Sequence, residues 1–166
     1  MVTSTYADVV SDTEWVLLAY RMPREPSTPR IAVWRKLRRL GAVQLVDGLV
    51  ALPADATTVE AFDWLADEVL EAGGEAWTWR AQAGSKQQHT ALRERLSQAA
   101  AQEYRNLIAE VDEAAVEPSR RTVERLRREL HHIDTKDRVG VKEREQAHRA
   151  VDRLAATVDG DQEARR

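Results

Sequence analysis

The chain has 166 residues, of which 43% are hydrophobic and 32% charged, enough for one compact domain with an appendage. It contains no cysteine, which excludes disulfides, thiolate zinc sites and a cysteine nucleophile. The net charge of −3 leaves neither half basic enough to bind nucleic acid through bulk charge, so any such binding must depend on local clusters.

The N-terminal sequence indicates a protein without targeting segments. No stretch combines basic residues with an apolar run as a signal peptide does, and none approaches the length of a membrane span. We therefore expect a cytoplasmic protein with no membrane contact. Residues 1–13 are polar and without pattern, and we interpret them as a flexible leader.

The first predicted elements are a strand at 14–20 and a helix that ends at Leu40. The strand is a short apolar run of β-favouring residues, and a proline-containing segment terminates it. Thr28 is predicted to cap the helix, with Pro29 at the first helical position, where its missing N–H costs nothing. Gly41 suits the C-cap. The predicted inward face consists of Val33, Trp34, Leu37 and Leu40.

A hairpin, a second helix and a last strand follow. Asp47-Gly48 between two apolar runs predicts a hairpin, because glycine accepts the positive φ of such a turn. The second helix is predicted at 57–72, where a glycine pair terminates it. Its predicted inward residues are Phe62, Leu65, Ala66 and Val69, with Glu60, Asp63, Asp67 and Glu71 on the far side. Residues 75–80 alternate with the period of a half-buried strand.

These elements predict an α+β fold for residues 14–84. Their order is strand, helix, strand, strand, helix, strand. Right-handed crossovers fold that order into a four-stranded antiparallel sheet with both helices on one face, the ferredoxin-like βαββαβ sandwich.

After Gly84 the sequence changes to a helical extension, predicted over 85–158. Three apolar stripes have helical spacing: Leu92, Leu96, Ala100, Tyr104, Leu107, Ile108 and Val111; then Val123, Leu126, Leu130 and Ile133; then Ala147, Val151, Leu154 and Val158. Narrow stripes with charged flanks are typical of helical hairpins or coiled-coil seams. We expect a bend or loop at 134–141 and a frayed tail at 159–166.

Several segments together carry a resemblance to a known family. They are IAVWRKLRRLGA at 31–42, the Asp47-Gly48 turn with Leu52-Pro53, EAGGEAW at 71–77 and the I-x-x-x-D-x-x-G pattern at 133–140. Together with the helical extension, these segments resemble the N-terminal domain of ChrB, the chromate-resistance regulatory protein, over most of residues 14–158. In that family an aromatic residue usually precedes the glycine of the last pattern, where this chain has Val139.

The first helix and the hairpin are also similar to the Cas2-like domain of PaaX-type repressors, which share a ferredoxin-like core. The two resemblances imply a transcriptional or oxyanion-response role. A Cas2-type metal nuclease carries an aspartate at the end of the first strand, where this chain has Tyr20-Arg21. That difference argues against nuclease activity.

The most pointed candidate site is a basic cluster on the first helix: Arg30, Arg35, Lys36, Arg38 and Arg39. Arginines along one helix suit DNA phosphates, with salt-dependent affinity, or a tetrahedral oxyanion such as chromate, held by bidentate hydrogen bonds. The alternative is a solvated face that complements the acidic second helix, in the same chain or in a partner.

Three tryptophans fall on the predicted sheet. Trp77 and Trp79 point to the same side of the last strand, and Trp15 begins the first strand. The free face of such a sheet often serves for binding, which makes them candidates for a stacking platform. Core packing or a sheet-mediated dimer is the more ordinary interpretation.

The sequence offers little for metal binding or catalysis. His131, His132, Asp134 and His148 do not assemble easily around one ion, because adjacent side chains on a helix point about 100° apart. The chain has no glycine-rich phosphate loop, nucleophile elbow or zinc-binding helix motif. We therefore expect no metal, no cofactor and no enzymatic activity.

The leading hypothesis is a homodimeric regulator of the ChrB N-terminal type. It would bind promoter DNA or a partner protein and respond to chromate or another oxyanion. An oligomeric scaffold without DNA affinity is the alternative, and an enzyme of chromate detoxification is a third hypothesis.

Overall fold

The computed structural model of the protein describes residues 13–163, with side chains to residue 160. The chain falls into two compact units that divide between Arg95 and Leu96. The sequence predicts this boundary after residue 84. In the structure it lies eleven residues later, so the first turns of the following helix belong to the same unit as the sheet. The predicted leader lies outside the described residues, apart from Thr13.

The first unit is a four-stranded sheet with two helices. Its elements are β1 Trp15–Arg21, α1 Ser27–Leu40, β2 Val43–Val46, β3 Leu49–Pro53, α2 Ala56–Glu71 and β4 Glu75–Ala81. The strand order is β2-β3-β1-β4, and each neighbouring pair is antiparallel. Two crossovers of the β-α-β type produce this order. The structure therefore confirms the predicted α+β sandwich.

The core of this unit lies between the sheet and the helices. Side chains alternate along β1, so that Val16 and Leu18 share one face and Trp15 and Leu17 the other. The sheet face that carries Val16 and Leu18 packs with α1 and α2 to form this core. Its buried residues are Val16, Leu18, Val33, Leu37, Val50, Leu52, Phe62, Leu65 and Val69. Each fully buried side chain of this kind contributes about 1.5–3 kcal/mol, which makes this layer the main source of stability.

Local chemistry sets the ends of these elements. Gly41 adopts a φ of 73° and its N–H donates to the carbonyl of Arg38, which confirms the predicted C-cap. Gly48 has a φ of 75°, and a Cβ there would lie 2.5 Å from the Tyr20 carbonyl oxygen, so only glycine fits. The carboxylate of Asp55 accepts from the Thr58 N–H and caps α2.

Two details of α1 differ from the sequence prediction. The helix begins at Ser27 after Pro26 and has no side-chain cap, so Thr28 lies inside the first turn rather than before it. Trp34 was predicted on the inward face but is 50% exposed. Val33 and Leu37 occupy the inward positions, and the residue next to Val33 points about 100° away from it.

Three long helices follow the sheet: α3 Lys86–Ala114, α4 Arg120–Lys136 and α5 Glu143–Glu163. The second unit has its own core, which contains most residues of the predicted stripes and also Ala150 and Ala155, which are not among the predicted residues. Its buried residues are Tyr104, Leu107, Val111, Val123, Leu126, Leu130, Ile133, Ala147, Ala150, Val151, Leu154, Ala155 and Val158. The helix α5 continues into the segment predicted to fray, as far as Glu163, and the last three positions of that segment lie outside the described residues. Across residues 13–163, no helix is both long and apolar enough to cross a membrane.

Candidate functional site

The solvent side of α1 carries the predicted basic residues, all of them exposed. Because Val33 and Leu37 point inward, helical geometry directs Arg35, Arg38 and Arg39 outward. Arg30 lies one turn before Trp34 on the same helix. We call Arg30, Arg35, Arg38 and Arg39 the α1 basic face.

The α1 basic face is not neutralised by acidic side chains. None of its four arginines has an ion-pair partner within the part of the chain that the structure describes. Some arginines elsewhere are paired, as Arg21 is with Glu75 at 3.0 Å and Arg125 with Glu110 at 2.8 Å, whereas no ion pair among the described residues engages the α1 arginines. Four positive charges therefore remain available to an external anion.

Lys36 differs from the other predicted members of the cluster. Its ammonium group forms an ion pair with Glu68 of α2, which lies beside it in the helical layer. Both side chains are partly exposed, so the ion pair contributes little to stability. It does, however, pair the positive charge of Lys36 with a carboxylate of the same chain. The structure thus separates Lys36 from the α1 basic face.

Trp34 is a surface residue that the sequence prediction missed. The guanidinium of Arg38 lies over its ring, 5.1 Å from the centroid, in a cation–π contact. Trp34 also lines a cavity of about 480 Å³ with Tyr20, Ile31 and Arg30. An exposed aromatic ring therefore lies within the α1 basic face, a combination that suits both the charge and the flat surfaces of nucleic acid.

The three candidate tryptophans share the face of the sheet away from α1 and α2, as the β1–β4 register shows. Trp77 and Trp79 are 67% and 59% exposed. Trp15 is only 1% exposed, and the ring of His89 in α3 meets it edge-on with centroids 6.1 Å apart. The exposed part of this surface is therefore Trp77 and Trp79, and Trp15 is a covered core residue.

The solvent side of α2 is acidic, as predicted. Its exposed acids are Glu60, Asp63, Asp67 and Glu71, with Trp64 exposed among them. We call these four acids the α2 acidic face. Neighbouring helices of the same layer thus present opposite charges to solvent.

Asp134 is the centre of a polar cluster in the second unit. Its Oδ1 accepts from the Tyr104 hydroxyl at 2.8 Å and from Arg144 Nε at 3.0 Å, and its Oδ2 lies 2.9 Å from His148 Nε2. The structure brings His148 and Asp134 together, whereas His131 and His132 are not among the partners of Asp134. Among the described residues, no group of three or more histidine or acidic side chains is placed to hold a metal ion.

Asp137 stabilises the loop between α4 and α5. Its carboxylate accepts hydrogen bonds from the backbone N–H groups of Val139, Gly140 and Val141, at 3.0, 2.8 and 3.2 Å. Gly140 has a φ of 69°, a conformation that glycine adopts without strain. The D-x-x-G pattern therefore has a structural purpose, to close a tight connection between two helices.

Comparison with known proteins places these features in a family. The family model described as Protein ChrB, N-terminal, matches residues 30–120, which include the α1 basic face, Trp77 and Trp79. Protein ChrB of Cupriavidus metallidurans is 33% identical over 82 residues, which are 49% of this chain and 25% of that protein. The aligned segment thus spans about a quarter of the curated relative. No solved structure gives a significant match.

The match to the family model covers more than half of the chain and begins within α1. It includes both helices of the sandwich and most of the sheet. The chain therefore belongs to the family of the N-terminal domain of Protein ChrB.

Proposed function

We propose that the chain is a regulatory module associated with chromate resistance and that its α1 basic face binds DNA. The observation that carries this proposal is a set of four exposed arginines on one helix, without acidic partners among the described residues. Membership of the ChrB N-terminal family supports the regulatory role. The proposal is of a cytoplasmic binding protein rather than an enzyme.

The α1 basic face suits contacts to phosphates. Guanidinium groups donate two parallel hydrogen bonds to phosphate oxygens, and each contact releases condensed counterions from DNA. Such contacts position a protein on the duplex without reading its sequence. Trp34 adds a flat apolar surface beside Arg38, so it is available to sugars or unstacked bases.

Chromate fits the same surface as an effector. It is a tetrahedral oxyanion, like phosphate, and Arg35 and Arg39 are side by side on successive turns of α1. Because DNA and chromate would use the same arginines, chromate should weaken DNA binding. Chloride at the same ionic strength is the control for a simple salt effect.

The test is fluorescence anisotropy on DNA from upstream of the protein's own gene, measured across a salt series. Replacing Arg35, Arg38 and Arg39 with glutamine preserves helix propensity. The slope of log affinity against log salt should then fall by about one unit per arginine removed.

A matched control variant replaces three exposed arginines of α4, Arg121, Arg127 and Arg128, with glutamine. It has the same net charge as the α1 variant. We expect its salt slope to equal that of the parent protein. Equal slopes in the parent protein and the α1 variant would exclude α1 as the DNA-binding surface.

The second candidate function is a scaffold without DNA affinity. It is favoured by the opposite charges of the α1 basic face and the α2 acidic face, which would pair between two copies of the chain. Under this hypothesis the α1 variant changes the mass of the oligomer, and neither protein binds DNA. Light scattering on the anisotropy samples distinguishes the two functions.

A further inference from the structure

A cavity of about 360 Å³ lies within the first unit, on the sheet face away from α1 and α2. Trp15 and Leu17 of β1 and Leu45 of β2 form its sheet side. Ala91 and Leu92, in the second turn of α3, form its helix side. The first turns of α3 thus cover this end of the sheet without filling the space beneath them.

The lining of the cavity is mostly apolar, with two glutamines, Gln82 and Gln88, and one charged group. Of the described residues that line it, Arg95 alone is charged. Its Nη1 donates to the carbonyl oxygen of Gln44 at 3.2 Å, which uses one of the five N–H donors of the guanidinium. That bond holds the side chain at the cavity and leaves further donors for an anion.

The space opens to solvent, since Ala91 and Arg95 at its rim are exposed, so it is a cleft that a ligand can enter. Small-molecule sites have volumes of about 300–1,000 Å³, apolar walls and a few polar groups that orient the ligand. The cavity matches that description in volume and composition. Trp15 adds a second polar group, since its buried Nε1 has no hydrogen-bond partner in the described structure.

We propose that this cavity binds a small organic acid with an apolar body, whose carboxylate pairs with Arg95. The apolar body displaces water from Leu17, Leu45 and Leu92, and the carboxylate accepts hydrogen bonds from the free N–H groups of Arg95. A tetrahedral dianion is a poor match, because most of the lining offers it no donor. The site is thus distinct in chemistry and position from the α1 basic face.

Octanoate is the probe and octan-1-ol is its uncharged counterpart, both added to the full chain. Nuclear magnetic resonance of the five tryptophan indole N–H groups reports where each probe binds. We expect both probes to shift the Trp15 signal and octanoate to bind more tightly. Shifts confined to Trp77 and Trp79 would overturn the proposal, because they would place the probe on the exposed tryptophans instead.

Two charge variants test whether Arg95 binds the carboxylate of the ligand. Arg95→Gln should weaken octanoate binding by about tenfold, the loss of one charge-assisted hydrogen bond, and leave octanol binding unchanged. Arg93→Gln, an exposed position on the same helix that does not line the cavity, should change neither. Equal weakening by both variants would show that only the net charge of the surface matters.

A volume variant tests the cavity itself. Ala91→Phe places a ring at the mouth from an exposed helix position, and it should abolish binding of both probes. Unchanged binding in a variant with a native-like spectrum would contradict the proposal. If that variant does not fold, the comparison of Arg95→Gln with Arg93→Gln decides the question.

Discussion

Asp134 joins three helices of the second unit through its two carboxylate oxygens. Tyr104 from α3 and Arg144 and His148 from α5 all contact it. Burial by itself raises the pKa of Asp134, but the hydrogen bond from Tyr104 and the interactions with His148 and Arg144 outweigh burial and lower the pKa below its ordinary value of 3.8. Burial and the neighbouring carboxylate raise the pKa of Tyr104, which therefore stays a donor.

This cluster predicts a pH-dependent contribution to stability. Since folding lowers the pKa of Asp134, its stabilisation is complete above about pH 4 and is lost as the pH falls through the folded-state pKa. Asp134→Asn should lower the free energy of unfolding by about 2 kcal/mol at pH 7, with a smaller difference at pH 3.

Urea unfolding at the two pH values measures both quantities. Asp152→Asn, at an exposed position of α5, is the control and should leave the free energy of unfolding unchanged. A deficit for Asp134→Asn that stays constant between pH 7 and pH 3 would show that the charge of Asp134 is not what stabilises the cluster.

Single residues differ in how well the sequence predicts them. Gly41 and Gly48 were predicted correctly because their φ requirement is local and has a chemical signature. Trp34 was misplaced because a bulky apolar residue next to the inward stripe resembles a member of it. The role of Asp134 was missed because its three partners lie at least ten residues away in sequence, and periodicity carries no information on such contacts.

At the scale of elements, the first turns of α3 are the part that the sequence did not reveal. The strand and helix order of the sandwich follows from local signals, and so do the stripes of the later helices. The packing of α3 over Trp15 does not follow from local signals. An amphipathic stripe predicts which side of a helix is buried, but it does not identify the surface against which that side packs. The predicted tryptophan platform therefore lost one of its three members.

Truncation tests the packing of α3 on the sheet. A chain that ends at Arg95 retains the helix turns over Trp15, and a chain that ends at Ala83 lacks them. Exposure of Trp15 should cost the shorter chain about 2 kcal/mol, or roughly 8–16 °C in melting temperature for a domain of this size.

Thermal unfolding by circular dichroism measures the difference between the two truncated chains. Acrylamide quenching should show one more accessible tryptophan in the chain that ends at Ala83. Identical melting temperatures and identical quenching would mean that α3 does not contribute to the sheet unit.

At the scale of the whole molecule, Trp77 and Trp79 predict self-association. They lie on β4, an edge strand of the described sheet, and an exposed apolar edge favours pairing with another chain. A homodimer formed through this surface leaves the α1 basic face free. Sedimentation equilibrium should give the mass of two chains.

Substitution of the exposed tryptophans locates the dimer contact. Replacing both Trp77 and Trp79 with alanine should produce a monomer. The control is Trp64→Ala, which removes an equally exposed tryptophan from α2 and should leave the dimer intact. A parent protein that sediments as a monomer at high micromolar concentration would remove the dimer from the account.

The most direct test of the central proposal is to locate DNA on the protein by nuclear magnetic resonance. The backbone amides are recorded at low salt while a duplex from upstream of the protein's own gene is added. We expect the largest shifts in α1, together with the indole N–H of Trp34, and we expect these shifts to disappear at high salt. Binding that shifts α4, α5 or β4 and leaves α1 unchanged would contradict it.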